Sequence, residues 1–297
     1  MHCMMILSIA ANGLILTPAA IADSGMVTTL NVRYAEAPGV TAGAQSLDIY
    51  APKGGLKLPV LVYVHRGSWS GGDNRAVGAK PEFFTSAGWA FVSINYRLLP
   101  EGKHPTNVED AAHALAWARS NIAKYDGDST RLFVMGHSAG AHLAALVATD
   151  ERHLEAAGKS LDIFKGAIPL DTNVYDLPTL MKVGAEVYKK VFSDDLQVWR
   201  DASLYYHVVS GKKLPPFLIF YSCGTGVTGE AEVRAEQAEA FFSALREAGA
   251  SADVFDASDR THSEIDEWFG KPDDRVTARA MGFLNSLAGK AAVKPAP

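Results

Sequence analysis

Short apolar runs alternate with amphipathic helical patterns along most of this chain, and this alternation constrains its fold more than any other feature. Continuous apolar runs of this kind suit strands that are buried on both faces, as in a parallel sheet. The runs are Leu58–His65, Ala90–Tyr96, Arg131–Met135, Phe164–Leu170 and Pro216–Tyr221, with a further strand candidate at Ala252–Phe255. The helical patterns between them are Val108–Tyr125, Ala141–Ala157, Ala231–Ala248 and Val276–Leu287.

Two earlier segments, Leu30–Tyr34 and Ser46–Tyr50, alternate apolar and polar residues, as an antiparallel edge does. Together with the buried runs they predict one doubly wound α/β domain with a mostly parallel sheet of about eight strands and helices on both faces. We place this domain at residues 23–288. The irregular helical stretch at residues 175–213 is predicted to form a small helical cap, and residues 289–297 a flexible tail.

The N-terminal segment has the pattern of a secretory signal peptide. Residues 4–22 contain no charged side chain and end in Ala20-Ile21-Ala22, a small-residue cleavage pattern. We therefore predict a signal peptide at residues 1–22 and a secreted or periplasmic protein. A transmembrane anchor or a wrongly assigned start is the alternative. No later run reaches 18 apolar residues, so we expect the mature protein not to enter a membrane.

Charge and cysteine content limit the partners that the chain is expected to bind. The chain has 33 acidic against 28 basic residues and no long basic run, so neither a nucleic acid nor an anionic membrane is an expected partner. Of its 2 cysteines, Cys3 lies in the predicted signal peptide. Cys223 would then have no partner for an intramolecular disulfide, and we interpret it as a thiol at the end of a strand.

A candidate nucleophile lies at a predicted strand–turn–helix junction. The sequence Gly136-His137-Ser138-Ala139-Gly140 follows the run Arg131–Met135 and precedes a helical pattern, which is the context that G-x-S-x-G requires. A sharp turn there would present Ser138 Oγ at the N-terminus of a helix, where the N–H of Ala139 can face a developing oxyanion. A tight structural turn is the alternative interpretation.

The stretch YVHRGSWSGGD, residues 63–73, resembles the oxyanion loop H-G-G-G/A-W of α/β-hydrolase esterases in the hormone-sensitive-lipase-like and feruloyl-esterase-like (BD-FAE) groups. In this chain Arg66 and Ser68 replace the outer glycines, and Arg66 is the larger departure. The stretch at residues 95–117, NYRLLPEGKHPTNVEDAAHALAW, is similar to another segment of the same esterases. The likeness spans most of residues 45–285.

The resemblance implies an α/β-hydrolase fold and a serine carboxylic-ester hydrolase that acts on small or aromatic esters without a cofactor. The expected oxyanion-hole residues are Gly67, Ser68 and Ala139. Substrate-pocket candidates are His65, Trp69 and His137. An aryl formamidase is one alternative, because similar chains cleave N-formyl amides with the same groups. A non-catalytic hydrolase-like binding protein is another. The oligomeric state is not indicated.

Chain order singles out the general base. A nucleophile on this turn needs a histidine late in the chain, in the order serine, acid, histidine. His262 is the only histidine beyond residue 207, and it follows the last strand candidate. We predict it as the base; His137 and His142 are expected to point elsewhere.

The acid is the least defined member of the predicted triad. In the related esterases it follows the penultimate strand, but the seven residues after Tyr221, SCGTGVT, contain no carboxylate. Glu230 fits the family's spacing into the following helix, and glutamate is an accepted triad acid. We therefore predict Glu230, with Glu232, Asp256 and Asp259 as alternatives.

The same loop contains Gly224, Gly226 and Gly229 in G-x-G-x-x-G spacing, which by itself would suggest a dinucleotide. Only 68 residues follow Gly229, too few for the usual position of this turn at the start of a nucleotide-binding unit. Glu230 and Glu232 in the next helical turn would also repel a pyrophosphate. We predict no dinucleotide site here, and no metal site, because no His or Cys cluster has ligand spacing.

Overall fold

The eight strands of the computed structural model, which describes residues 25–182, 188–226 and 229–289, form one sheet. The predicted signal peptide and all of the predicted tail beyond residue 289 lie outside the described residues. The strands are β1 (Met26–Arg33), β2 (Ser46–Pro52), β3 (Leu58–Val64), β4 (Ala90–Ile94), β5 (Gly127–His137), β6 (Phe164–Leu170), β7 (Phe217–Ser222) and β8 (Ala252–Ala257).

The sheet order is β1-β2-β4-β3-β5-β6-β7-β8. β1 and β2 pair antiparallel, and β2 pairs antiparallel with β4, whereas the strands from β4 to β8 in that order run parallel. The predicted antiparallel edge and the parallel centre are therefore both confirmed. β3 is buried along its whole length, as a continuous apolar strand in the middle of a sheet should be.

Helices cover both faces of the sheet. They are α1 (Lys80–Ser86), α2 (Thr106–Asn121), α3 (Ala139–Thr149), α4 (Glu151–Ala156), α5 (Leu177–Lys182), α6 (Lys189–Phe192), α7 (Leu196–Asp201), α8 (Glu230–Glu247), α9 (Glu264–Glu267) and α10 (Arg275–Ala288). Alternate residues of β3 point to opposite faces. Val62 packs in the core under α2, α3 and α8, and Leu61 in the core under α1 and α10.

The helix predicted at Ala141–Ala157 is two helices. Asp150 between them is extended, with φ −100° and ψ 99°, and its carboxylate accepts a hydrogen bond from Arg152 N at the start of α4. By capping the start of α4, the Asp150 side chain favours an extended backbone at residue 150 over a continuous helix. The helix α3 therefore ends at Thr149, although the apolar pattern continues.

The region predicted as a cap, residues 175–213, contains α5, α6, α7 and a short 3₁₀ helix, all between β6 and β7. In the described part of the chain, no helix combines the length and the apolarity that crossing a membrane requires.

Strand register determines where the site is built. His137 pairs with Leu170, and Leu170 pairs with Phe220, so β5, β6 and β7 end at almost the same level. The residues that follow these strands therefore meet at one edge of the sheet, which is where ligands bind in open α/β sheets.

Candidate active site

Ser138 lies on the sharp turn that its motif predicts. Its φ of 56° and ψ of −119° are outside the regions that non-glycine residues favour. A Cβ on Gly136 would lie 2.2 Å from Gly140 O, and a Cβ on Gly140 would lie 2.1 Å from Val64 O. Both flanking glycines are therefore sterically required, and the strain at Ser138 is held by packing on both sides.

His262 lies beside this serine, as chain order predicts. It follows β8, and its Nε2 is 2.9 Å from Ser138 Oγ. Its backbone N–H donates to Gly224 O at 2.8 Å. The glycine-rich loop after β7 therefore supports the loop at residues 258–263, which contains His262 and is called the histidine loop below. The distance between Oγ and Nε2 is that of a hydrogen bond between a nucleophile and its base.

The carboxylate on His262 is Asp171, and the prediction of Glu230 as the triad acid is wrong. Asp171 directly follows β6, and its Oδ2 is 2.6 Å from His262 Nδ1. Because β6 lies next to β5 in register, Asp171 and Ser138 come off neighbouring strands side by side. Glu230 begins α8, one strand further away.

Among the described residues, Arg234 is the side chain that links Glu230 to Asp171. Glu230 Oε1 accepts hydrogen bonds from Arg234 Nε at 2.9 Å and Nη2 at 2.6 Å, while Oε2 accepts from Thr225 N at 2.7 Å. Arg234 Nη1 in turn donates to Asp171 Oδ1 at 3.2 Å.

The three alternative acids are also elsewhere. Asp256 accepts a hydrogen bond from Ser258 N at 2.8 Å, and Asp259 pairs with Arg260. Glu232 is exposed on the first turn of α8. No described contact joins any of these carboxylates to His262.

Asp171 is completely buried and nevertheless ionised. Burial raises the pKa of its carboxyl, but the hydrogen bond with His262, the charge of Arg234 and the hydrogen bond from Ser222 Oγ together hold that pKa well below its usual value. A carboxylate can only accept hydrogen bonds, so His262 carries its proton on Nδ1. Nε2 is left free to accept the proton of Ser138 Oγ.

The oxyanion loop has a conformation that requires only some of its expected glycines. Gly67, Ser68 and Trp69 have φ of 129°, 50° and 55°. A Cβ on Gly67 would lie 2.0 Å from Gly71 O, so this position must be glycine. Ser68 occupies the left-handed region that a polar residue tolerates, and Arg66 is outside it.

Two of the three predicted oxyanion residues line the cavity at the serine. Ser68 and Ala139 both lie on its wall, and neither N–H donates a hydrogen bond to another described residue. Gly67 is not on this wall, and its carbonyl accepts from Ser70 N at 3.0 Å and Gly71 N at 2.9 Å. Gly67 therefore shapes the loop, and its role as a donor stays a prediction.

The cavity at Ser138 has a volume of about 190 Å³. Its wall carries more polar than apolar groups, and it consists of Ser68, Trp69, Ser138, Ala139, Thr172, Asn173, Val174, Tyr188, Thr225, Glu230, Arg234 and His262. Trp69 thus lies on the cavity wall, and its ring packs edge-on against Tyr188, at 5.9 Å between centroids. Tyr188 comes from the cap region, so this region does form part of the pocket.

His65 and His137 do not line the cavity, which corrects their prediction as substrate-pocket residues. His65 is buried against Tyr96, with ring centroids 4.5 Å apart, and donates from Nδ1 to Arg66 O at 2.7 Å. His137 is buried behind His262, with ring centroids 4.6 Å apart. Both histidines lie at the end of a strand, and both side chains are buried in the core instead of facing the cavity.

Burial also keeps His137 neutral. It lowers the pKa of His137 to about 3, so no positive charge faces His262 when that ring becomes protonated. Ligand atoms of His137, Asp171 and His262 lie within 4.8 Å of one another, the spacing at which a metal could in principle be held. Asp171 Oδ2 and His262 Nδ1 are, however, 2.6 Å apart and hydrogen-bonded to each other, which is the geometry of a base and its orienting carboxylate.

Sequence reasoning missed Asp171, Ser222 and Arg234. A signal for Asp171 was present, because it directly follows an apolar run that comes after the nucleophile strand. The resemblance to the esterases instead predicted an acid in the loop after β7, the penultimate strand. The positions of Ser222 and Arg234 depend on where β7 and α8 lie relative to Asp171, which no local pattern contains.

Known proteins resemble this chain over most of its length. The family model BD-FAE matches residues 47–244. The esterase LipQ of Mycobacterium tuberculosis is 31% identical over 295 residues, which cover 88% of this chain and 67% of that protein. The esterase LipC of the same organism is 30% identical, covering 68% of this chain and 52% of its own length. The chain thus spans about half to two thirds of these relatives.

A solved structure shares the fold. A truncated carbohydrate esterase from gut microbiota superposes with a TM-score of 0.75 at 19% sequence identity, covering 91% of this chain and 99% of that one. Identity this low establishes the common architecture, an α/β-hydrolase fold, and leaves the substrate open.

Proposed function

This chain belongs to the BD-FAE family, and we propose that it is a serine hydrolase that cleaves carboxylic esters with small acyl groups. The observation that carries the proposal is one unbroken series of contacts, from Ser138 Oγ to His262 Nε2 at 2.9 Å and from His262 Nδ1 to Asp171 Oδ2 at 2.6 Å. Its esterase relatives support the same reaction class.

The geometry supports an acyl-enzyme mechanism. Ser138 Oγ attacks the ester carbonyl carbon while His262 Nε2 takes the hydroxyl proton. The buried Asp171 carboxylate stabilises the imidazolium that forms and keeps the ring oriented. Ser68 and Ala139 line the cavity and their N–H groups have no acceptor among the described residues, so these groups are available to bind the oxygen as it becomes negative. One such donor contributes about 3–4 kcal/mol elsewhere.

The proton then moves to the leaving alcohol. His262 donates it to the alkoxide oxygen, and the alcohol departs, leaving the acyl group on Ser138. Water enters, His262 takes its proton, and the hydroxide attacks the acyl carbon. As the second intermediate collapses, His262 returns this proton to Ser138 Oγ, which releases the carboxylic acid and restores Ser138.

Cavity size supports the preference for small acyl groups. A volume of about 190 Å³ is below the roughly 300 Å³ at which drug-sized ligand pockets begin. Trp69 and Tyr188 close one side with aromatic rings. An acetyl or butyryl group fits such a space, whereas a long alkyl chain has to displace the cap.

The test is hydrolysis of nitrophenyl esters of increasing acyl length by the wild-type protein, by Ser138→Ala and by Ser286→Ala. Ser286 lies on α10 and is the matched control. We expect loss of turnover only in Ser138→Ala, and higher kcat/KM for acetate or butyrate than for octanoate. Equal turnover by wild type and Ser138→Ala would refute the serine mechanism. An N-formyl aryl amide in the same panel tests the formamidase alternative.

The non-catalytic alternative predicts a different result in this assay. It rested on the altered oxyanion loop and on the absence of an acid after β7. Asp171 supplies the acid from the end of β6, and Gly67 is a glycine at a position where the loop conformation leaves no room for a Cβ. A wild-type protein that neither turns over esters nor reacts with a phosphonate would restore the binding-only hypothesis.

Export is a separate proposal, supported only by the uncharged segment at residues 4–22. Intact-mass spectrometry of the protein recovered from its native host is the test. We expect the mature chain to begin at or near Asp23. An N-terminus at Met1 would contradict export by cleavage.

A further inference from the structure

A buried carboxylate outside the triad lies just behind the catalytic histidine. Asp266 is in α9, four residues after His262, and is only 4% exposed. Its Oδ1 accepts a hydrogen bond from Tyr63 Oη at 2.7 Å and forms an ion pair with Lys80 Nζ at 2.7 Å. Lys80 is itself 1% exposed and also donates to the backbone oxygen of Asp266 at 2.9 Å.

The second oxygen of Asp266 faces two of the catalytic segments. Oδ2 is 3.7 Å from Arg66 Nε, in the oxyanion loop, and 3.8 Å from His137 Nδ1, the residue before the nucleophile. Tyr63 belongs to β3, which leads into the oxyanion loop. One carboxylate therefore contacts the oxyanion loop, the nucleophile turn and, through its own helix, the histidine loop.

These contacts keep Asp266 charged. Burial alone would raise the pKa of its carboxyl, but the charge of Lys80 and the hydrogen bonds from Lys80 and Tyr63 hold that pKa below its usual value. Leaving a buried charge without its partners is strongly destabilising. Asp266 is therefore held in place, because any shift of its carboxylate would break its contacts with Lys80 and Tyr63.

Arg66 extends the same network to the surface. Its Nη2 pairs with Glu267 Oε1 at 2.9 Å, and its Nη1 donates to Ser263 Oγ at 3.4 Å. Both acceptors follow His262 closely in sequence. Arginine in place of a glycine in the oxyanion loop thus provides a direct connection from the oxyanion loop to the histidine loop.

On the opposite side, the histidine loop is held by backbone bonds to the glycine-rich loop, from Cys223 N to Arg260 O at 3.0 Å and from His262 N to Gly224 O at 2.8 Å. These bonds fix the distance of His262 from β7. They place no constraint on its distance from the oxyanion loop, which the network around Asp266 spans.

We propose that Asp266 and Arg66 are positioning residues, which fix the catalytic histidine relative to Ser138 and the oxyanion loop. This proposal rests on the ester hydrolysis proposed above. Neither residue lines the cavity at Ser138, so both act through other groups. A shift of about 1 Å in such groups can cost about 100-fold in rate, whereas ground-state binding changes little.

The first variant is Asp266→Asn, with Asp150→Asn as its matched control. Asp150 is buried to a similar degree and is paired with Arg152 at 2.6 Å, but it lies at the far end of α3, about 16 Å along the helix from Ala139. Asp150 contacts none of the three catalytic segments. Active serines are counted with a phosphonate, and kcat is expressed per reactive serine.

We expect both variants to lower the melting temperature. Only Asp266→Asn should lower kcat per reactive serine, by about 10- to 100-fold, with KM changed by less than about threefold. A kcat per reactive serine equal to that of the wild type, together with a lower melting temperature, would show that Asp266 only stabilises the fold and would overturn the proposal.

Arg66 gives a test that does not depend on the folding of Asp266→Asn. Its side chain is 35% exposed, so Arg66→Gln leaves no sealed cavity. We expect Arg66→Gln to lower kcat by about fivefold at unchanged KM and melting temperature, and Arg66→Lys to restore part of the loss. Wild-type kcat in Arg66→Gln would overturn the positioning role. A wild-type protein inactive on esters and unreactive with phosphonate would instead refute the proposed function.

Discussion

The ends of β6 and β7 lie side by side at the active-site edge of the sheet and contribute different things. After β6 the chain places Asp171 directly on His262. After β7 it continues as a glycine-rich loop with no carboxylate until Glu230, which begins α8. One strand end supplies the charge, and the other supplies the scaffold around it.

The end of β7, the loop after it and the start of α8 support the triad at three points. Ser222 donates from its N–H to Asp171 Oδ1 at 3.0 Å and from its hydroxyl to Oδ2. Gly224 O accepts the N–H of His262. Glu230 holds Arg234, which contacts Asp171 from the side. A loop in this position can thus serve the acid without containing it.

The two strand ends show that register alone leaves two possible origins for the acid. His137, Leu170 and Phe220 are level across the sheet, so a carboxylate after β6 or after β7 starts at the same height. Gly224 makes room for the actual arrangement, because a Cβ there would lie 2.7 Å from Glu230 Cδ. The variants below separate the contributions of the two strand ends.

Asp171→Asn should have the largest effect. Asparagine keeps the shape of the side chain but removes the charge and can favour the wrong tautomer of His262. We expect kcat to fall by about 10⁴-fold, as the equivalent change does in another serine hydrolase, with secondary structure retained by circular dichroism. A loss of less than about tenfold would assign the acid role to another carboxylate.

Arg234→Met should rank second in activity and affect stability strongly. The arginine is 5% exposed and bridges Asp171 and Glu230, so its removal leaves two carboxylates without their cation. Breaking a buried pair in this way costs about 3–5 kcal/mol, which urea denaturation measures. We expect kcat to fall by about tenfold because Asp171 can then rotate.

Arg234→Lys is the control for charge, since it retains the cation but not the fork geometry. It should recover part of the stability. An Arg234→Met protein as stable as wild type would show that the arginine contributes no net stabilisation to the β7 side of the site.

Ser222→Ala removes one hydrogen bond to Asp171 Oδ2 and leaves the one from Ser222 N. A hydrogen bond to a charged group contributes about 1.5–3 kcal/mol, so we expect a moderate loss of stability and a several-fold loss of kcat. Ser93→Ala is the matched control: Ser93 is buried in β4, and its hydroxyl has no partner among the described residues. Equal kcat values for the two variants would contradict a supporting role for Ser222.

Glu230→Gln should have the smallest effect. Among the described residues, Arg234 is the side chain that links Glu230 to Asp171, and the single amide oxygen of glutamine can still accept a hydrogen bond from Arg234, although not from Thr225 as well. We expect kcat to stay within about threefold of the wild-type value. A loss approaching that of Asp171→Asn would restore Glu230 as the triad acid.

The alternation of apolar runs and helical patterns was enough to predict the sheet, its antiparallel edge and the helices on both faces, because these follow from local periodicity. Ser138 and His262 could also be located, since the nucleophile turn has a steric signature and chain order leaves only one late histidine. Their proximity follows from the fold that these patterns predict.

The acid could not be located in the same way. Any carboxylate that follows a parallel strand on the correct side of β5 can reach His262, and sequence spacing does not say which strand end comes nearest. Likewise, whether His65 and His137 face the cavity or the core depends on the path of the loops after β3 and β5. Strand register and loop path are tertiary properties, so local patterns underdetermine them.

Proton NMR of protein labelled with ¹⁵N-histidine detects the hydrogen bond between His262 Nδ1 and Asp171, on which the assignment of the triad depends. A short hydrogen bond from Nδ1–H to a carboxylate gives a strongly downfield proton signal, which His262→Ala assigns. We predict that this signal persists in Glu230→Gln and disappears in Asp171→Asn. Its loss in Glu230→Gln and persistence in Asp171→Asn would contradict the account.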